Sequence, residues 1–137
     1  MCDFQLKDYV KRGYKKIGII FNTDPHYKSG EHWISLFINL RINEIFFFDS
    51  AGDKIPKEIK HFVDRVIIQG KQLTPSLDIR FEQNDKTHQH TSTECGMYAL
   101  YFIINMLKDT ITSKEIKTKR IPDKHVFGLR KRYFNEA

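Results

Sequence analysis

Cys95 stands where a polar stretch gives way to an apolar one. In "TSTECGMYAL", residues 91–100, small polar and acidic residues lead up to it, and from Met97 to Leu107 the chain is almost wholly apolar. A run of that kind predicts a buried helix with Cys95 in its first turn. Unpaired N–H groups and the positive end of the helix dipole favour an anionic sulfur there, and the thiolate is the nucleophilic form. A cysteine that only fills a core belongs in the middle of such a run. Gly96, next in sequence, keeps space clear for a substrate backbone to approach.

A thiolate nucleophile works with a base, and the base with a group that orients it. Of the six histidines, His61 falls on the outer face of a helix and His125 in a basic tail, where both read as solvated. His32 stands at the mouth of a strand, after "KSGE". If residues 33–40 and 44–48 pair as a hairpin, the start of the first strand lies beside the end of the second, which is Asp49. An imidazole and a carboxylate then share one sheet edge. Asp49 can accept from one ring nitrogen while the other faces the thiol; it can also cap the turn "DSAGD", and the two roles are compatible. Gln89, six residues before Cys95, offers an amide that could join the Cys95 N–H in holding an oxyanion. Trp33, the only tryptophan, either packs in the core or covers a narrow substrate cleft. His88, His90 and Cys95 lie close together in "HQHTSTEC", but no fourth ligand pair at zinc-like spacing accompanies them. Neither a metal nor a cofactor is expected, and there is no Gly-rich phosphate loop and no G-x-S-x-G elbow.

These residues need elements to hold them. Asp3 can cap a short helix carrying Phe4, Leu6, Tyr9 and Val10 and stopped near Gly13. "KKIGIIFN" reads as a buried strand ending in the turn "NTDP". "HWISLFINL" and "EIFFFDS" are strand-like and separated only by "RIN", which predicts an antiparallel hairpin. From Pro56, the residues Ile59, Phe62, Val63, Val66 and Ile67 recur at helical spacing, with Gly70 expected just beyond the helix end. "LDIRFEQ" alternates as a strand, residues 84–94 form a polar loop, and the helix from about Cys95 to Lys108 is apolar nearly all round. A final amphipathic helix follows Pro122, with Val126, Leu129 and Tyr133 on one face. The mixture of elements predicts an α+β fold with a mixed sheet packed around a buried central helix.

The 137 residues suffice for one domain, residues 1–137. Forty per cent apolar residues and eleven phenylalanines argue for a packed core rather than a disordered chain. The longest apolar run falls well short of a membrane span, the N-terminus shows no secretory signal, and Cys2 and Cys95 make no disulfide framework. An intracellular setting with free thiols is expected. The net charge of +6 is concentrated toward the C-terminus, in "SKEIKTKRIPDKHVFGLRKR", either a solvated basic helix or a footprint for a polyanion.

Four pieces in this order, "GEHW", "FFDS", the Gln of "HQHTSTECG" and "ECGMYALYF", resemble the ubiquitin-like-protein (SUMO) proteases and adenain-type proteinases, one clan of cysteine peptidases. "FNTDPHYKSGEHW" and "RIPDKHVFGLRKRYF" resemble versions from large DNA viruses, the African swine fever virus and mimivirus kind. The resemblance implies a papain-like active-site arrangement with permuted chain order, His-Asp-Cys. It makes His32 the general base, Asp49 its orienting partner, Cys95 the nucleophile and Gln89 an oxyanion donor. Trp33, Glu94 and Gly96 fall at substrate-binding positions. The implied partner is a protein substrate cut after a Gly-Gly-type site, in a ubiquitin-like precursor or conjugate or in a viral polyprotein. DNA is an activator for some members, and the basic C-terminal stretch is where it would bind. Glu94 stands where the tag proteases commonly carry Asp. No second tryptophan is present to close a glycine tunnel, so Phe21 or a partner closes the channel or the channel is wider. The rival readings are a module that holds a ubiquitin-like partner without cutting it, and a basic nucleic-acid-binding protein.

Overall fold

Strands β1 (Lys16–Thr23), β2 (His32–Asn39), β3 (Glu44–Phe48) and β4 (Arg80–Gln83) form one sheet in the order β1-β2-β3-β4. The computed structural model describes residues 3–23, 32–84 and 95–118, excepting the side chains at positions 23, 95 and 96. Strand β2 pairs antiparallel with both β1 and β3. Residues 40–43 make the tight turn of the β2–β3 hairpin, and Asn43 takes a left-handed conformation, φ 52°, that its short polar side chain tolerates. Strand β4 runs parallel to β3. A parallel neighbour requires a crossover, which helix α2 (Lys57–Lys71) supplies.

The sheet is a middle layer. Ile34, Leu36 and Ile38 of β2 and Ile45 and Phe47 of β3 pack with Leu6 of α1 (Leu6–Lys11) and with Ile59, Phe62, Val63 and Val66 of α2. The alternate residues Phe37, Phe46 and Phe48 pack with Met97, Tyr98, Phe102, Ile103 and Met106 of α3 (Cys95–Leu107) and with Ile116 of α4 (Ser113–Thr118). Every residue of β3 is buried. Covering both faces explains why "EIFFF" is almost continuously apolar instead of alternating with polar residues. Helix α3 is the buried helix that its composition predicts. Its C-terminal end is tied to β1 by Lys16, whose ammonium donates to the Leu107 carbonyl at 3.2 Å and to the Asp109 carboxylate at 2.6 Å. The Lys16 hydrogen bond holds the Asp109 carboxyl below its ordinary pKa.

Several details depart from the sequence reading. Strand β1, expected to be buried, is only partly so, and its Ile20 is 39% exposed. Gln5, not Asp3, occupies the N-cap of α1, and it makes no side-chain cap bond. Instead Gln69 of α2 reaches across, accepting from the Leu6 N–H at 2.9 Å and donating to the Phe4 carbonyl at 3.1 Å. An amide from another helix thus replaces the local cap. The C-terminal stop at Gly13 is as expected: φ is 85°, and bonds from Gly13 N–H to Val10 O and from Tyr14 N–H to Tyr9 O close a Schellman motif. Gly70 lies inside α2 instead of beyond its end. It is there for close packing, because a Cβ at that position would come within 2.8 Å of Ile79 Cδ1. Helix α4 was not anticipated, and the helix expected after Pro122 lies outside the described residues.

Glu44 opens β3 and is 7% exposed. Its Oε2 accepts from the Ser113 hydroxyl at 3.3 Å, while no donor among the described residues reaches Oε1. A buried carboxylate with one oxygen unpaired costs stability. Ser113→Ala removes the donor to Oε2 and is expected to destabilise the fold by about 1 kcal/mol, read as a lower thermal midpoint; an unchanged midpoint would mean that this bond contributes nothing.

Candidate active site

The β2–β3 pairing ends with Ser35 opposite Phe48. Asp49 follows just beyond that last pair, and His32 opens β2 three residues before it. The two side chains meet there: His32 Nε2 lies 3.0 Å from both Asp49 Oδ1 and Oδ2. Asp49 is 2% exposed, so this is a sheltered pair and not a surface contact. An ionised carboxylate only accepts, which places the shared proton on Nε2 and makes Nδ1 the basic nitrogen of a neutral ring. The arrangement can do general base chemistry in which a carboxylate fixes the tautomer and stabilises the imidazolium that forms.

Asp49 also holds the turn. Its Oδ1 accepts from the Ala51 N–H at 2.8 Å and its carbonyl accepts from the Gly52 N–H at 2.9 Å. The contact to His32 and the turn contact expected from the sequence are both made by this one residue. Helix α3 begins at Cys95, the edge position at which the sequence places a nucleophile. Gln89 and Glu94 lie outside the described residues, as do His88 and His90. Trp33 is half-buried in β2, opposite Asn22. Phe21 packs against the core cluster on the α2 side of the sheet, which commits its ring to the core.

The donor atoms of His32, Asp49 and Asp53 lie within 4.8 Å of one another, the spacing of a possible metal site among the described residues. His32 Nε2 and both Asp49 oxygens are already joined to each other. An ion bound there would have to displace the proton between them. One residue at this site was missed by reading the sequence. Asn84, placed there at the head of a polar loop, is fully buried and bonded to the main chain of Asp49. Its signal was only its position, directly after β4.

Residues 12–137 match the Ulp1 protease family, C-terminal catalytic domain. The chain is 30% identical over 116 residues to a thiol protease of Acanthamoeba polyphaga mimivirus, an alignment covering 82% of this chain and 38% of that protein. It is also 30% identical over 130 residues to a SUMO-1 cysteine protease of African swine fever virus, covering 93% and 47% respectively. The chain thus spans less than half the length of these two relatives. Among solved structures, the crystal structure of an African swine fever virus protease superposes with a TM-score of 0.76 at 28% identity, covering 85% of this chain and 43% of the other. ChlaDub1 from Chlamydia trachomatis superposes with a TM-score of 0.64 at 15% identity, covering 94% and 63%, a likeness of fold alone.

Proposed function

The chain belongs to the Ulp1 protease family, and from that premise we propose that it is a cysteine endopeptidase whose nucleophile is Cys95. The observation that carries this reading is the sheltered His32–Asp49 pair beside a sheet whose central helix starts at that cysteine. His32 takes the thiol proton at Nδ1 while Asp49 holds Nε2. The thiolate attacks the carbonyl carbon of the scissile bond, and the oxyanion is held by the Gln89 amide and the Cys95 N–H. The imidazolium then protonates the leaving amine as the C–N bond breaks. Water, deprotonated by the same ring, attacks the thioester and releases the new carboxylate and the thiol.

The substrate class is a protein with a Gly-Gly-type site, in a ubiquitin-like precursor or conjugate or in a viral polyprotein. Trp33, Glu94 and Gly96 are assigned to substrate binding by the family resemblance. Support comes from the name of one relative, a SUMO-1 cysteine protease, and from the glycine that follows Cys95. Relatives from viruses support an intracellular setting, and among the described residues no helix is long and apolar enough to cross a membrane. The basic residues from Lys114 onward support DNA as an activating partner.

A cleavage panel comparing a ubiquitin-like precursor with short Gly-Gly-X peptides tests the reading. Cutting after the second glycine in either is the expected result. Reversible binding of the precursor with no cleavage of any member would make the domain a binding module instead. Gln89→Ala is expected to slow turnover roughly a hundredfold with an unchanged circular dichroism spectrum, and full activity in that variant would remove Gln89 from the mechanism.

A further inference from the structure

The parallel ladder between β3 and β4 ends with Phe47 opposite Gln83. The next main-chain bond, Asn84 N–H to the Phe47 carbonyl, is already long at 3.4 Å. Among the described residues no strand partner faces Asp49 beyond that point on the β4 side. The Asn84 side chain takes the neighbour's place. Its Oδ1 accepts from the Asp49 N–H at 2.9 Å, and its Nδ2 donates to the Asp49 carbonyl at 2.6 Å. One amide thereby satisfies both main-chain groups of one residue, as a facing strand would, and its own O and N are assigned by those partners. Asn84 is 0% exposed and Asp49 2%, so water does not compete for these bonds. From this fixed backbone the Asp49 carboxylate reaches Ala51 N–H on one side and His32 on the other.

We infer that Asn84 is the positioning residue of the catalytic pair: it acts on His32 only through Asp49, by clamping the Asp49 main chain at the end of the sheet. The inference rests on the proposed roles of His32 and Asp49. No other residue type fits the place. Aspartate keeps the acceptor but sets a carboxylate oxygen against the Asp49 carbonyl. Glutamine adds a methylene to a buried site, and alanine removes the acceptor of the Asp49 N–H and leaves its carbonyl with the turn bond from Gly52 N–H. A loosened Asp49 no longer steadies the imidazolium, so the effect falls on turnover and on its pH dependence rather than on substrate binding.

The experiment compares Asn84→Asp and Asn84→Ala with the parent chain, at a temperature where circular dichroism shows all of them folded. Measured on a Gly-Gly-X peptide, kcat is expected to fall about ten- to hundredfold, the range seen when groups that orient a functional side chain are removed, with KM within about twofold. The rate of Cys95 alkylation by iodoacetamide at neutral pH should fall, because a displaced carboxylate no longer stabilises the imidazolium and the proton returns to the sulfur. A double-mutant cycle gives the decisive arm: in an Asp49→Ala background, Asn84→Ala should cost nothing further in kcat. Overturning results are a lowered thermal midpoint with unchanged kcat and pH profile, which makes Asn84 a structural residue only, or additive losses in the cycle. Full activity of His32→Ala would instead bring down the catalytic reading on which the inference stands, and the two failures are told apart by that variant.

Discussion

Cys95→Ala is expected to be inactive, with a loss of at least about ten-thousandfold in kcat on any Gly-Gly substrate, while the variant folds and still binds. The substitution removes the atom proposed to form the acyl-enzyme and not merely an accelerating group. A change from sulfur to a methyl-sized side chain at the first residue of α3 also leaves intact the packing that holds the helix, which comes from Met97, Tyr98, Phe102, Ile103 and Met106. Binding without cleavage is therefore the expected phenotype, measurable as retained affinity for an uncleaved precursor by calorimetry. Unimpaired cleavage would move the nucleophile elsewhere.

His32→Ala is expected to reduce kcat by roughly a thousandfold or more, with a change of mechanism visible in the thiol itself. Without the imidazole proposed to face it, Cys95 loses that counter-charge to its thiolate, so alkylation at neutral pH is expected to slow and to recover as the pH rises toward that of an ordinary thiol. The sign follows from the ion pair: imidazolium favours thiolate, and losing it favours the thiol at neutral pH. The Asp49 carboxylate is left buried and facing the gap, with the Ala51 N–H still bonded to Oδ1. Some loss of stability is expected as well, and rates should be compared per folded molecule. A variant that retains both rapid neutral-pH alkylation and turnover would contradict the assignment of His32.

Much of this site was legible in the chain because hairpins are local. The three residues "RIN" left β2 and β3 no topology other than antiparallel neighbours, and that pairing alone brings His32 to Asp49 across seventeen positions. Cys95 was legible because a polar-to-apolar boundary marks a helix start, and α3 begins there. The parallel placement of β4 was not legible. The crossover through α2 fixes it, and strand direction across a helix leaves no mark in local periodicity. Asn84 was hidden for a related reason. A polar residue after a strand reads as the beginning of a loop, and only the long-range pairing of β3 with β4 turns it into a buried clamp on Asp49. Gly70 was misplaced because a glycine near a helix end has two uses, a stop or a close approach. The proximity of Ile79 that decides between them belongs to the tertiary structure.

The central claim is that the His32–Asp49 pair activates the sulfur of Cys95 toward a carbonyl that follows glycine. The measurement that meets it most directly is intact-mass analysis and peptide mapping after exposure to a ubiquitin-like protein carrying a C-terminal electrophile in place of its last glycine. Cys2 serves as an internal control, being the chain's other thiol. The account predicts a single adduct on Cys95 that is lost in His32→Ala. An adduct on Cys2, or equal labelling of Cys95 with and without His32, would contradict it.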